Sequence, residues 1–208
     1  MDLSPSIKIQ KPRQWAKAVT DLKSVVPGKE SYWNRERGLT VQMAHIDRLT
    51  PELKGGGLSV LDVGPGPGHF MVCARHLGNA VFGIDAPATS AAVKAYEACT
   101  KSQGLPVNYC GFPTNGDPLP THPTAFDLIQ FKGSFEAALG PQSEGMLERA
   151  VALLTACRDA LADGGRVLVL HNMSDRGACR NALYDAAPGV GMTAAPCCPG
   201  VTELRAVE

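Results

Sequence analysis

Apolar and polar positions along the chain follow two periods, one typical of strands and one typical of helices. Short apolar runs predict five strands: Leu58–Val63, Ala80–Ile84, Leu105–Cys110, Phe126–Phe131 and Arg166–Leu170. Apolar residues spaced three and four apart predict the intervening helices: 70–77, 89–103, 143–162 and 176–186. Two short strands follow, at 191–194 and 201–207. This alternation predicts an α/β fold, a doubly wound, mostly parallel seven-stranded sheet with a terminal antiparallel hairpin.

The first 57 residues follow a different pattern. Amphipathic spacing predicts one helix at 12–26 and another at about 31–49, and the run Lys54–Gly57 separates them from the first strand. This segment is too small to form a core of its own. We therefore expect residues 1–57 to be a helical cap packed over the sheet, and residues 58–208 to be a ligand-binding domain.

The most informative segment joins the first strand of the sheet to the helix that follows. It reads Asp62-Val63-Gly64-Pro65-Gly66-Pro67-Gly68, with glycines at alternate positions. Such a turn at a helix N-terminus lets the backbone approach a nucleotide closely. Asp85 ends the next apolar run about 20 residues after the first glycine, the spacing typical of an acid that binds a ribose. The pattern predicts an adenosine-containing cofactor, and the alternative role for Asp85 is to cap the following helix.

Two details of this segment distinguish between cofactors. A nicotinamide-binding turn has the pattern Gly-x-Gly-x-x-Gly, whereas here the third glycine comes one residue earlier. Asp62 would repel a pyrophosphate, but it suits a ligand that carries an ammonium and a sulfonium. On Asp62 to Gly68 together with Asp85, the chain resembles the class I S-adenosylmethionine-dependent methyltransferases.

This resemblance implies a Rossmann-like fold over residues 58–207, S-adenosylmethionine as cofactor and S-adenosylhomocysteine as product. It implies that the three glycines line the methionine part, that Asp62 lies near the ammonium and that Asp85 accepts both ribose hydroxyls. An acid after the third strand often binds the adenine, and Asp117 is a candidate there, although Asn115-Gly116-Asp117-Pro118 is equally typical of an ordinary turn. The cofactor-binding residues expected in all are Asp62, Gly64, Gly66, Gly68, His69, Asp85, Asp117 and Lys132.

His69 and Lys132 are assigned to the cofactor site because of the elements that they follow or begin. His69 begins the helix after the glycine turn, where it is expected beside the carboxylate of the cofactor. Lys132 follows the fourth strand, where the transferred methyl group is expected. A cation there would be unusual beside a cationic cofactor, so Lys132 could instead contact an acidic substrate.

Two ionisable side chains at strand ends are candidates for a general base. An oxygen or nitrogen nucleophile must lose a proton, and histidine is the side chain that most readily exchanges one near neutral pH. His171 follows the strand at 166–170, and Glu136 follows the fourth strand. The structural alternatives are that His171 is hydrogen-bonded at the mouth of a loop and that Glu136 is a solvated residue at a helix start.

Composition and missing motifs narrow the class of acceptor. The 208 residues include 20 basic and 20 acidic side chains, which argues against a surface built to bind nucleic acid. No Asn/Asp-Pro-Pro-Tyr motif follows the fourth strand, and no cysteine stands there to form a covalent adduct with a pyrimidine. The seven cysteines are interpreted as reduced thiols without a metal site. We therefore expect methyl transfer to oxygen or nitrogen of a small molecule.

Other functions remain open at this point. A basic cap surface could serve a methyltransferase that acts on a protein or nucleic acid with a partner chain, and a homodimer is also left open. A methyltransferase-like domain could bind the cofactor without catalysis, as a sensor or scaffold.

Tyr32 and Trp33, beside Asn34 and Arg35, are interpreted as fixing the cap to the sheet, the alternative being contact with cofactor or substrate. A polar N-terminus and the lack of a long apolar run predict a cytoplasmic protein without a membrane segment.

Overall fold

A computed structural model describes Ile7 and residues 9–26, 35–119, 125–140, 145–171 and 177–207. Tyr32, Trp33 and Asn34 lie outside the described residues, as do the beginnings predicted for the second cap helix and for the helix at 143–162. The chain divides into two compact units, Met1–Leu58 with Pro65–Cys110 and Ser59–Gly64 with Gly111–Glu208. The division into a cap at 1–57 and a domain at 58–208 stays a prediction. Within the described ranges, no helix combines the length and the apolar character needed to cross a membrane.

The described residues form seven α-helices and seven strands in an α/β arrangement. The helices are α1 (Pro12–Val25), α2 (Arg35–Leu49), α3 (His69–His76), α4 (Ala91–Ser102), α5 (Phe135–Leu139), α6 (Met146–Asp159) and α7 (Ala178–Gly189). The strands are β1 (Ser59–Val63), β2 (Ala80–Ile84), β3 (Val107–Asn108), β4 (Phe126–Lys132), β5 (Leu161–Leu170), β6 (Met192–Cys198) and β7 (Val201–Ala206). Their order in the sheet is β3-β2-β1-β4-β5-β7-β6, with β7 antiparallel to both of its neighbours. The predicted fold class is confirmed.

In the first unit, helices α1 and α2 pack against helices α4 and α3, respectively. The apolar spacing of α1 places Trp15, Leu22 and their neighbours on one buried face. The side chain of Gln103 ties the chain before α1 to the end of α4, because its Oε1 accepts from Gln10 N at 2.9 Å and its Nε2 donates to Gln10 O at 2.6 Å. These contacts join α1 and α2 to the other helices of the first unit.

In the second unit, three parallel strands end at the same edge of the sheet. Val63 of β1 lies opposite Phe131 of β4, and Lys132 of β4 lies opposite Leu170 of β5. Because β7 runs antiparallel to β5, the turn between β6 and β7 returns to this edge, where His171 N donates to Gly200 O at 2.9 Å. The topology therefore gathers the residues that follow β1, β4 and β5 beside the β6–β7 turn.

The boundary between α6 and β5 differs from the predicted one. The helix predicted at 143–162 ends at Asp159, and β5 begins at Leu161, which pairs with Phe126 of β4. Asp163-Gly164-Gly165 is typical of a helix terminator, but here it belongs to an irregular segment within the strand, across which the register shifts. A Cβ on Gly165 would lie 2.7 Å from Phe126 O, so the close approach of the two strands requires a glycine.

Three other elements differ in length from their predictions. The third strand is confined to Val107–Asn108, and α7 continues to Gly189, beyond the predicted end at 186. Strand β6 extends to Cys198, because it pairs with β7 from Met192 as far as the hairpin turn. Pro196 is accommodated within β6 because this strand lies at the edge of the sheet, where a missing N–H leaves no neighbour unpaired.

Candidate functional site

The glycine turn contributes an open backbone surface to the first unit. Gly68 N donates to Pro65 O at 3.0 Å, which closes the turn, and Gly66 and Gly68 have φ values of +55° and +82°. A Cβ on Gly68 would lie 2.6 Å from Leu105 Cδ1, so this glycine allows the start of α3 to pack closely. A Cβ on Gly66 would meet nothing within 4 Å. The α-carbon of Gly66 therefore faces space that a ligand can enter.

Asp85, directly after β2, is a buried carboxylate with one oxygen available. Its Oδ1 accepts a hydrogen bond from Ala86 N at 2.8 Å. Its Oδ2 is buried and has no hydrogen-bond partner among the described residues. Burial raises the pKa of the carboxyl group, although the N–H groups of Ala86 and, more weakly, Gly66 act in the opposite direction. The alternative role for Asp85 as a helix cap is wrong, because Ser90 caps α4 and accepts from Val93 N at 3.2 Å.

His69 is predicted to lie beside the cofactor carboxylate and Asp117 is a candidate for binding the adenine, and the surroundings of the two residues differ. His69 opens α3, is buried, and lies edge-on to the ring of Trp15 with 5.2 Å between centroids. Asp117 is exposed in a turn, where its Oδ2 accepts from Asn115 Nδ2 at 2.7 Å. The hydrogen bond of Asp117 is therefore that of an ordinary turn, and cofactor contacts for both residues stay predictions.

Asp62 in the second unit lies inside the sheet on β1. It is opposite Gln130 of β4, whose Nε2 donates to Asp62 Oδ1 at 3.3 Å, and both side chains are buried. Sequence reasoning missed Gln130, although a polar residue in the middle of the buried strand Phe126–Lys132 is a signal that it has a polar neighbour. The arrangement orients a carboxylate two residues before the glycine turn.

Gly64 and Ser134 are in close contact within the second unit. Ser134 Oγ donates to Val63 O in a short hydrogen bond, and this brings the side chain against the first glycine of the turn. A Cβ on Gly64 would lie 2.4 Å from Ser134 Cβ, and Gly64 also has a φ of +74°. Both its conformation and its surroundings therefore require glycine at position 64.

His171 and Glu136, the two candidate bases, form one buried network. His171 Nδ1 lies 3.1 Å from Glu136 Oε1, and Nε2 lies 3.0 Å from Thr202 Oγ1. All three residues are buried, so the interpretation of Glu136 as a solvated helix-start residue is wrong. An ionised Glu136 can only accept, so Nδ1 donates to it, and in the neutral imidazole Nε2 then accepts from the Thr202 hydroxyl.

Lys132 ends β4 at the same edge, where its side chain is partly exposed. Sequence reasoning also missed Thr202 and Ser134. Thr202 is brought to His171 only by the antiparallel pairing of β5 with β7, for which no local motif exists. The signal for Ser134 is its position directly after Gly133 at the end of β4, where a helix begins.

Comparison with known proteins adds information on the fold. No protein-family model and no curated protein matches the sequence. Three solved methyltransferases are similar in structure. A TehB-like S-adenosylmethionine-dependent methyltransferase from Corynebacterium glutamicum superposes with a TM-score of 0.59 and 20% sequence identity, covering 86% of this chain and 98% of its own. For the CcbJ methyltransferase from Streptomyces caelestis, the TM-score is 0.59 at 13% identity, over 94% of this chain and 98% of its own.

The third is CalS10, an amino pentose methyltransferase from Micromonospora echinaspora. Its TM-score is 0.57 at 13% identity, over 79% of this chain and 89% of its own. Similarity at these identities defines the fold. The chain has the Rossmann-like fold of class I S-adenosylmethionine-dependent methyltransferases.

Proposed function

We propose that the protein is an S-adenosylmethionine-dependent methyltransferase acting on oxygen or nitrogen of a small molecule. The observation that carries the proposal is the pair formed by Asp85 and Gly66. A buried carboxylate oxygen without a partner is costly unless donors reach it, and the two hydroxyls of a ribose are such donors. The open α-carbon of Gly66 belongs to the same unit and leaves room for the rest of the ligand.

The residues that would hold the cofactor follow from their positions in the chain. The backbone of Gly64, Gly66 and Gly68 would line the methionine part, and Asp62, oriented by Gln130, would attract the ammonium. Asp85 would bind the ribose, and His69, Asp117 and Lys132 are proposed as further contacts. When bound, S-adenosylmethionine supplies a methyl group on a positively charged sulfur, which leaves as the neutral thioether of S-adenosylhomocysteine.

The second unit would supply the base. The proton on His171 Nδ1 would be donated in a hydrogen bond to Glu136, which leaves Nε2 free to take a proton from the methyl acceptor. Because the Thr202 hydroxyl is hydrogen-bonded to Nε2, the methyl acceptor would either displace this hydroxyl or transfer its proton through it. Glu136 then stabilises the imidazolium that forms. Of the two predicted candidate bases, His171 is therefore proposed as the general base and Glu136 as the residue that positions it.

A small-molecule acceptor is supported by two observations. The chain has no net charge, which gives it little long-range attraction for nucleic acid. CalS10, which shares the fold, is an amino pentose methyltransferase. Action on a protein or nucleic acid with a partner chain, a homodimer and a non-catalytic scaffold are the alternatives to be tested.

The first experiment is a calorimetric titration of the protein with S-adenosylmethionine, S-adenosylhomocysteine and NAD. We expect micromolar binding of the first two, as is common for enzyme cofactors and substrates, and no binding of NAD. The matched variant Asp85→Asn should weaken both interactions, whereas Asp163→Asn, an exposed position, should not. Absence of binding to all three ligands would contradict the proposal. Binding without methyl transfer to any small acceptor, protein or RNA tested would favour a scaffold.

A further inference from the structure

The second unit contains a cleft beside the β6–β7 hairpin and His171. It has a volume of about 320 Å³ and is lined by Arg180 and Tyr184 of α7, by the β6–β7 hairpin and by His171. The volume is at the small end of the range found for small-molecule sites. Because His171 and Thr202 both line the cleft, the buried network reaches the wall of this space.

The charged lining of the cleft favours an anion. Arg180 and Tyr184 are four residues apart on α7 and therefore lie on the same face of the helix. No aspartate or glutamate is among the lining residues that the structure describes. Within the described ranges, neither the guanidinium of Arg180 nor the hydroxyl of Tyr184 has a hydrogen bond or ion pair. The cleft thus presents a cation and a neutral donor that the fold itself does not use.

The remaining lining limits the shape of the ligand. Pro196, Pro199 and Val201 contribute apolar surface from the hairpin. A site with apolar walls and a few convergent polar groups is typical of a ligand with an apolar body and one charged end. A planar carboxylate or a phosphate can receive two hydrogen bonds from a guanidinium, and a phenol can add a third.

We propose that this cleft binds a small molecule carrying an anionic oxygen group, a carboxylate or a phosphate, through Arg180 and Tyr184. The inference rests on the proposed function, because it identifies this molecule as the methyl acceptor. Its nucleophilic oxygen or nitrogen lies at the end of the cleft formed by His171 and Thr202. Arg180 is then a specificity-determining residue, since it selects anionic acceptors over neutral ones of the same shape.

The test uses protection of a cysteine and requires neither cofactor nor turnover. Cys197 is exposed and lines the cleft, whereas Cys110 is exposed in the other unit. The whole protein is alkylated with iodoacetamide in the presence of benzoate, phenyl phosphate or the neutral benzamide, and tandem mass spectrometry measures each site. We expect benzoate or phenyl phosphate to slow alkylation of Cys197 severalfold, and benzamide to have no effect. Alkylation of Cys110 should be the same throughout.

The variants Arg180→Gln and Tyr184→Phe make the test specific. Arg180→Gln should abolish protection while leaving alkylation of Cys197 without added anion unchanged, and Tyr184→Phe should weaken protection. Protection by only one of the two anions identifies the group as carboxylate or phosphate. Equal protection by benzamide, no protection by either anion, or protection that survives Arg180→Gln would overturn the anion site.

Failure of this inference and failure of the proposed function give different results. If S-adenosylmethionine binds but no anion protects Cys197, the anion site is wrong and the methyltransferase proposal stands. If anions protect Cys197 but the cofactor does not bind, the site exists and its role as acceptor site is wrong. Once an anionic acceptor is found, Arg180→Gln should raise its KM and leave kcat and the Kd of S-adenosylmethionine unchanged.

Discussion

His171 lies between Glu136 and Thr202, with Nδ1 3.1 Å from the carboxylate and Nε2 3.0 Å from the hydroxyl. The imidazole side chain is almost completely buried, with 1% of its surface exposed. Glu136 comes from the first turn of α5 and Thr202 from β7, so the histidine connects two elements that are distant in sequence. A histidine held at both nitrogens has a fixed ring orientation, which suits a group that must accept a proton at one atom.

Replacing His171 by Gln is expected to lower the rate of methyl transfer by about 10²–10⁴-fold, the usual contribution of a general base. Binding of S-adenosylmethionine should be unchanged. Glu136→Gln should lower the rate less and shift its pH profile. The control is His76→Gln, which changes an exposed histidine in the other unit. Transfer rates measured over a range of pH, together with calorimetry, test this; an unchanged rate in His171→Gln would remove the base assignment.

The ribose assignment predicts a specific effect at Asp85. Asp85→Ala should weaken binding of S-adenosylmethionine by about 1–3 kcal/mol, the cost of losing hydrogen bonds to a charged group. Titration calorimetry measures the difference, with Asp163→Ala as an exposed control. Equal affinities for the wild type and Asp85→Ala would show that this carboxylate does not contact the cofactor.

Asp85 also predicts a dependence of stability on pH in the protein without ligand. Burial raises the pKa of its carboxyl group in the folded state. The folded protein then binds the proton more tightly than the unfolded chain, so the free energy of unfolding falls as pH rises through the raised pKa. Asp85→Asn should therefore increase the melting temperature at neutral pH. The difference in melting temperature between Asp85→Asn and the wild type should become smaller as the solution is acidified. Thermal melts at a series of pH values measure it, and a difference that does not depend on pH would contradict the ionisation argument.

Gly64 and Gly66 are expected to respond differently to alanine. At both positions a positive φ costs about 1–2 kcal/mol for a residue with a Cβ. Gly64→Ala adds a clash, since its Cβ would lie 2.4 Å from Ser134 Cβ, whereas Gly66→Ala projects into open space. Chemical denaturation should show a much larger loss of stability for Gly64→Ala. Cofactor affinity, measured under conditions where both variants are folded, should fall for Gly66→Ala.

The clash itself can be tested by a second substitution. Ser134→Gly removes the side chain that a Cβ on residue 64 would meet. In the double variant Gly64→Ala/Ser134→Gly, part of the lost stability should therefore return, leaving the cost of the positive φ. Additive effects of the two substitutions would mean that the contact with Ser134 is not the cause.

Glu203 predicts the opposite dependence on pH. Burial acts to raise the pKa of its carboxyl group, but hydrogen bonds from Arg205 and Arg166 outweigh burial and lower it. The stability that Glu203 contributes is present above the pKa of the unfolded chain and is lost as pH falls through the lowered pKa. Glu203→Gln should lower the free energy of unfolding by up to about 1 kcal/mol at neutral pH, because Glu203 and both arginines are partly exposed, and by less at high salt. Denaturation at several pH values and salt concentrations measures this, and an effect independent of both would contradict the ion-pair origin.

The parts of the fold and site that are local in sequence could be predicted, and the parts that depend on pairing between distant strands could not. The strand, glycine turn and helix around residues 58–77 form a continuous pattern, so the segment could be interpreted from its spacing alone. Ser134 contacts Val63 across 71 residues of sequence, and Thr202 contacts His171 through strand pairing. The end of α6 at Asp159 could not be predicted, because Gly164 and Gly165 are equally typical of a helix end and of an irregular strand.

The hydrogen bond from His171 N to Gly200 O fixes the position of the hairpin turn beside His171, and this limits how the length of the chain after the turn can change during evolution. Side chains alternate between the two faces of β7, so inserting or deleting a single residue between Gly200 and Thr202 would turn Thr202 to the other face. Its neighbours Val201 and Glu203 offer His171 either no hydroxyl or a charge. Substitutions on the exposed strand β6 leave this alternation intact. Descendants of this sequence should therefore conserve the number of residues between the turn and position 202.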